Sequence, residues 1–151
     1  MDNTDTYKLD RFIDVQATTY QAALSEIKNG YKTSHWIWWI FPQLKGLGRS
    51  SRSYFYGITD FDEAKLYLEN ETLGTRLREC CAELLKLQTS DPIGIFGGID
   101  ARKLKSSMTL FDMVSPNDIF GKVLDMLYSG ERDSRTLRLI EGTRASQNDL
   151  D

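Results

Sequence analysis

The stretch Thr72–Gln88, TLGTRLRECCAELLKLQ, decides the fold class. Leu73, Leu77, Cys80, Cys81, Leu84, Leu85 and Leu87 recur mainly at three- and four-residue steps. That period gathers apolar side chains on one face of an α-helix. Gly74 weakens the helix without interrupting the stripe. Moving outward, Asp10 precedes a run in which Phe12, Val15, Tyr20, Ala23, Leu24 and Ile27 keep the same period, and Asn29-Gly30 supplies a stop. Ser34 is placed to cap a short element, His35–Phe41, which Pro42 closes by disfavouring helical geometry at Phe41. Thr59 or Asp60 caps Phe61–Leu68, with Asp62 or Glu63 completing a capping box. Asp91-Pro92 pairs a cap with proline at the first helical position, and Gly97-Gly98 stops that turn. Asp100 opens a segment whose apolar side is Leu104, Met108, Leu110 and Phe111. Ser115-Pro116 repeats the cap-plus-proline device, with Asp118 reciprocating, ahead of Phe120, Val123, Leu124 and Leu127. Asp133 caps the last helix, through Leu137 and Ile140.

No segment alternates apolar and polar residues with β-branched enrichment, and Ser53–Ile58 is short and aromatic. The expectation is an all-α fold: one compact multihelical domain over residues 9–141, with about six to eight helices and at most a minor hairpin. Residues 1–8 and 142–151 are polar and are expected to be frayed termini.

A chain of 151 residues, 40% hydrophobic and 27% charged, has apolar material for one core without a metal or disulfide staple. Its net charge of −3 and pI near 5.2 argue against general nucleic-acid binding and leave room only for a local basic pocket. Cys80 and Cys81 are adjacent, lie in a helix-like stretch and suit a reducing compartment. Met1–Asp5 is acidic and polar rather than leader-like, and no apolar run approaches the roughly 20 residues a bilayer requires. A cytoplasmic protein with no membrane association is expected. One histidine and two adjacent thiols give no zinc spacing, and neither Gly-x-Ser-x-Gly nor His-Glu-x-x-His occurs. No metal or cofactor is implied.

Residues 31–61 hold more than half of the aromatic side chains, and all three tryptophans lie between positions 36 and 39. Trp36-Ile37-Trp38-Trp39-Ile40-Phe41 is apolar on every side, so it is either a central core helix or the wall of a cleft. In the second case Trp36 or Trp38 offers a flat face to an aromatic ligand. His35, in the first turn of that element, would be held neutral by the helix end and is the best candidate for a general base. Gln43 can read a planar group with both ends of its amide. Lys45-Gly46-Leu47-Gly48-Arg49-Ser50-Ser51-Arg52 joins glycines, cations and hydroxyls in the outline of a phosphate loop, without either nucleotide-binding fingerprint. Lys103, Ser106 and Ser107 are spaced to share one helix face, where a lysine could activate a serine. Arg102, Lys103 and Lys105 form the second basic cluster of an acidic chain.

Ser34-His35-Trp36-Ile37-Trp38-Trp39-Ile40-Phe41-Pro42-Gln43-Leu44-Lys45-Gly46-Leu47-Gly48 closely resembles the hallmark of domain-of-unknown-function family 1810. That pattern runs Ser-His-Trp-x-Trp-x-x-Phe-Pro-Gln-Leu-x-Gly-Leu-Gly. Lys103-Leu104-Lys105-Ser106-Ser107-Met108-Thr109-Leu110-Phe111 resembles its second hallmark. Arg11-Phe12, Leu73-Gly74-x-Arg76-Leu77 and Thr136-Leu137 extend the resemblance over roughly residues 9 to 140. It implies a mainly helical fold and no particular activity. The two hallmarks are also the two chemically unusual segments. The expected site therefore joins His35, Trp36, Gln43, Arg49, Arg52, Lys103, Ser106 and Ser107 around a small nucleotide- or ADP-ribose-like anion, bound or hydrolysed with His35 as base. The general layout is also similar to that of helical ADP-ribose-processing proteins, with no residue carried across. The alternative is a structural or protein–protein interaction module with no small-molecule site.

Overall fold

The structure is a computed structural model that describes the backbone of residues 7–149 and the side chains of 7–143. Of the termini expected to be frayed, 1–8 and 142–151, residues 1–6 and 150–151 lie outside the described residues. Among the described residues eight helices follow in order: α1 (Asp10–Lys28), α2 (Ile37–Ile40), α3 (Ser51–Tyr56), α4 (Phe61–Glu69), α5 (Glu71–Lys86), α6 (Pro92–Val114), α7 (Ile119–Tyr128) and α8 (Ser134–Asp149). Among the described residues there is no sheet. A parallel bridge joins Leu44 to Ile58 in place of a hairpin.

The stripe that began the reading is the centre of the molecule. Leu73, Leu77, Cys80, Cys81 and Leu84 are buried along α5, which packs on α1, α4 and α7. From α6, Leu104, Met108, Leu110 and Phe111 enter the same core, and α7 lies along α6. The apolar segment is core for the most part: Trp36, Ile37, Trp39, Ile40 and Phe41 are buried. Its polar edges are tied to α1, with Trp39 Nε1 donating to Thr19 Oγ1 at 2.9 Å and Gln16 Nε2 to the Trp39 carbonyl at 2.7 Å.

Caps formed within one turn stand where the sequence puts them. Asp60 accepts from the Glu63 N–H at 2.9 Å, while Glu63 returns a bond to the Thr59 N–H at 2.7 Å. Asp91 and Asp133 cap α6 and α8 through the N–H groups of Gly94 and Thr136. Elsewhere a more distant group claims the expected cap. Ser34 does not cap α2: its Oγ and N–H both bond Glu26 of α1, and the short helix starts after Trp36. His35 is accordingly outside the helix and exposed. Asp10 is the first helical residue and follows Leu9 at the cap, α5 is capped by Asn70, and α7 by Asp118 with Ser115 hydrogen-bonded to it. Asp100 is not a cap but an ion-pair partner of Lys32 and Lys103. Gly97, at φ +79°, kinks α6 rather than ending it, and α8 runs past Gly142 to Asp149.

Candidate functional site

A cavity of about 420 Å³ opens where the two unusual segments meet. The short helix α2 contributes Trp38, the stretch after it Gln43, Leu47 and Gly48, and α6 contributes Ile99, Arg102, Lys103 and Ser106. Asp133 and Arg135 close it from the start of α8. Residues 99, 102, 103 and 106 fall on one helix face by spacing alone, so α6 delivers its wall as a single stripe.

Gln43 is fixed from its backbone. Pro42 ends the helical run, and the Gln43 carbonyl accepts from the Ile58 N–H at 2.9 Å while the Lys45 N–H donates to the Ile58 carbonyl at 2.8 Å. This clamp leaves the Gln43 residue only 8% exposed, yet its amide has no hydrogen-bond partner among the described residues. The amide keeps solvent access through the cavity, so both of its ends are open to a molecule bound there. Gly48 closes the loop beside it. A Cβ at Gly48 would lie 2.8 Å from Ser53 Cβ, so the turn requires glycine.

The Lys103 ammonium stands 3.7 Å above the Trp38 ring and 3.3 Å from Asp100 Oδ1, held by a cation–π contact and an ion pair. Ser106 Oγ donates to the Arg102 carbonyl at 3.2 Å, which leaves the hydroxyl of this lining residue able to accept a further bond. Arg102 and Arg135 are exposed, and their guanidinium groups have no partner among the described residues. Asp133 brings a negative charge to the same wall, with its carboxylate oxygen engaged by Thr136. Thr109 Oγ1 accepts the Asp133 N–H at 3.0 Å and so docks α8 against α6.

Of the residues expected at a site, the cavity brings together Gln43, Lys103 and Ser106. Trp38, the alternative to Trp36 as an aromatic wall, lines it. Trp36 does not: it is buried against Phe41 and Phe96, and its indole N–H donates to Glu26 at 2.9 Å. Ser107 lies one residue beyond Ser106 and points into the core, fully buried. His35 is on none of the cavity walls. Arg49 and Arg52 are exposed, and Arg49 borders a different depression beside Tyr54 and Phe55. The glycine loop therefore contributes Leu47 and Gly48 rather than its cations. Ile99, Asp133 and Arg135 were not foreseen as wall residues. Ile99 was readable from the α6 spacing, whereas Arg135 joins only through the tertiary docking of α8.

Among the described residues, no cluster of three or more His, Cys, Asp or Glu side chains is placed to hold a metal ion. No helix among them is long and apolar enough to cross a membrane.

The family model described as protein of unknown function (DUF1810) matches residues 6–140. The crystal structure of a conserved hypothetical protein from Mycobacterium tuberculosis is similar, with a TM-score of 0.87 and 40% identity. The match covers 90% of this chain and 98% of that one. A search of the curated proteins finds no match.

Proposed function

Since the chain belongs to the DUF1810 family, whose function is unknown, we propose its role from the cavity itself: it binds a small nucleotide-like anion. The observation that carries this reading is the Gln43 amide, which has no partner among the described residues and opens onto a cavity whose cations include Arg102 and Arg135, neither paired among those residues. A ligand that satisfies both ends of that amide accounts for its placement. The volume falls within the range of roughly 300–1,000 Å³ common for small-molecule pockets, and Trp38, Leu47 and Ile99 add apolar surface. Binding rather than hydrolysis is proposed, because His35 stands away from the cavity.

The test is thermal unfolding with AMP, ADP and ADP-ribose. A ligand at about a hundred times its Kd adds about 2.7 kcal/mol, which for a chain of this size raises Tm by roughly 5–10 °C. Gln43→Leu should remove that shift while leaving the free protein's Tm within about 2 °C of the wild type, since no protein hydrogen bond is lost. His35→Ala and Arg52→Ala should retain the shift. An absence of stabilisation by every anion, or a large drop in the Tm of free Gln43→Leu, would sink the reading.

The interaction-module alternative has its own observation. Tyr54 and Phe55 are exposed side by side on α3, with a depression on either flank. Tyr54→Ser with Phe55→Ser would disrupt a partner there and leave anion binding intact.

A further inference from the structure

The cavity's polar groups are sorted by depth. Its most buried polar side chains, Gln43 and Ser106 at 8% and 7% exposure, are neutral. The charges of Arg102 and Arg135, without partners among the described residues, are exposed at the rim. Lys103 lies between, its ammonium already facing Asp100 and the Trp38 ring. This order fixes the ligand's orientation. Burying a phosphate against neutral groups is costly, whereas a heterocycle with adjacent donor and acceptor atoms matches the Gln43 amide. The Ser106 hydroxyl, whose proton is used by the Arg102 carbonyl, accepts a further N–H or O–H. At the rim, guanidinium forks suit phosphate oxygens.

We infer that the ligand is a nucleoside monophosphate that enters base first, with its base on Gln43 and Ser106 and its phosphate between Arg102 and Arg135. The phosphate count follows from charge. A phosphomonoester carries about −1.5 to −2 at neutral pH, the complement of two guanidinium groups. Asp133 stands on the same wall and opposes additional negative charge. This inference rests on the reading of the cavity as an anion site.

Isothermal titration of the four 5′-ribonucleoside monophosphates, their nucleosides and inorganic phosphate separates the two halves of the site. At least one monophosphate should bind tenfold or more tightly than both its nucleoside and phosphate alone. Replacing both rim arginines, Arg102→Ala with Arg135→Ala, should reduce that monophosphate to the level of its nucleoside and leave the nucleoside unchanged. Gln43→Leu should do the reverse, leaving only the weak affinity for phosphate. Near-UV circular dichroism checks that each variant is folded. Equal binding of nucleoside and monophosphate would overturn the rim assignment, and equal binding of phosphate and monophosphate would overturn the floor. If none of these probes binds but ADP or ADP-ribose still raises Tm, the inference fails and the anion site stands. If no anion does either, both fail.

Discussion

Gln16 and Gln43 are both glutamines of low exposure, 1% and 8%, one bonded to the aromatic segment from α1 and the other on a cavity wall facing α6. Gln16 is fully engaged. Its Nε2 donates to the Trp39 carbonyl at 2.7 Å and to Tyr67 Oη at 3.1 Å, and its Oε1 accepts from Arg76 at 3.3 Å. Gln43 makes none of these bonds and faces a cavity. The α1 flank is closed throughout, since Glu26 accepts from Thr33, Ser34 and Trp36 and Thr19 holds Trp39. The α6 flank leaves the Gln43 amide open to the cavity. A satisfied buried group reports on folding, whereas an open one beside a cavity reports on what the fold is for.

The comparison breaks first if the closed flank proves dispensable. Trp36→Ala removes a buried indole, its contacts with Phe41 and Phe96, and its bond to Glu26. The expected loss is about 3–5 kcal/mol in urea unfolding. A loss below about 1 kcal/mol, on the scale of an ordinary substitution, would move Trp36 out of the core.

Placing leucine at each glutamine tests the contrast directly. Gln16→Leu leaves the Trp39 carbonyl and Arg76 without their partner and should cost about 1–3 kcal/mol. Gln43→Leu should cost almost nothing. Equal losses would erase the distinction between the two flanks.

The closed flank also has a pH signature. Partial burial raises the Glu26 pKa, but hydrogen bonds from Ser34, Trp36 and Thr33 outweigh it and hold the carboxyl at about 2, below its ordinary 4.5. A depressed pKa means that the folded state favours the ionised form. The contribution is therefore complete above pH 4.5 and is lost as pH falls toward 2. The difference in Tm between wild type and Glu26→Gln should be constant from neutral pH down to that point and then narrow. A difference that is independent of pH would show that the carboxylate charge has no part in the turn.

How legible all this was depended on the range of the interactions. Caps at Asp60, Asp91 and Asp133 were readable because acceptor and N–H lie three residues apart. Ser34 misled because Glu26, in the preceding helix, takes the hydroxyl that a local rule assigns to α2. Gln43, Lys103 and Ser106 stood out as polar residues poorly explained by packing, and the cavity joins them. Trp36 and Trp38 could not be ranked, because a segment apolar all round does not say which side meets the core. His35 was drawn into the site by a helix start that the structure does not have.

The smallest expected effect belongs to Ser107, whose hydroxyl is, among the described residues, the one buried side-chain polar atom with no hydrogen-bond partner. It shares the α6 stripe of Leu104, Met108 and Phe111, and its Oγ is buried with no hydrogen-bond partner. Unlike the Gln43 amide, it faces no cavity among those described. A ligand therefore has no route to it, and the hydroxyl can only cost stability. Ser107→Ala removes one small polar atom and improves helix propensity, so stability should stay within about 0.5 kcal/mol of wild type or rise. Binding of any anion should be unchanged. A loss above about 1 kcal/mol would mean that the hydroxyl makes a native bond, for instance to an enclosed water. If anion binding weakened instead, the cavity would have to reach through α6, and an unpartnered buried group would no longer distinguish its wall from the core.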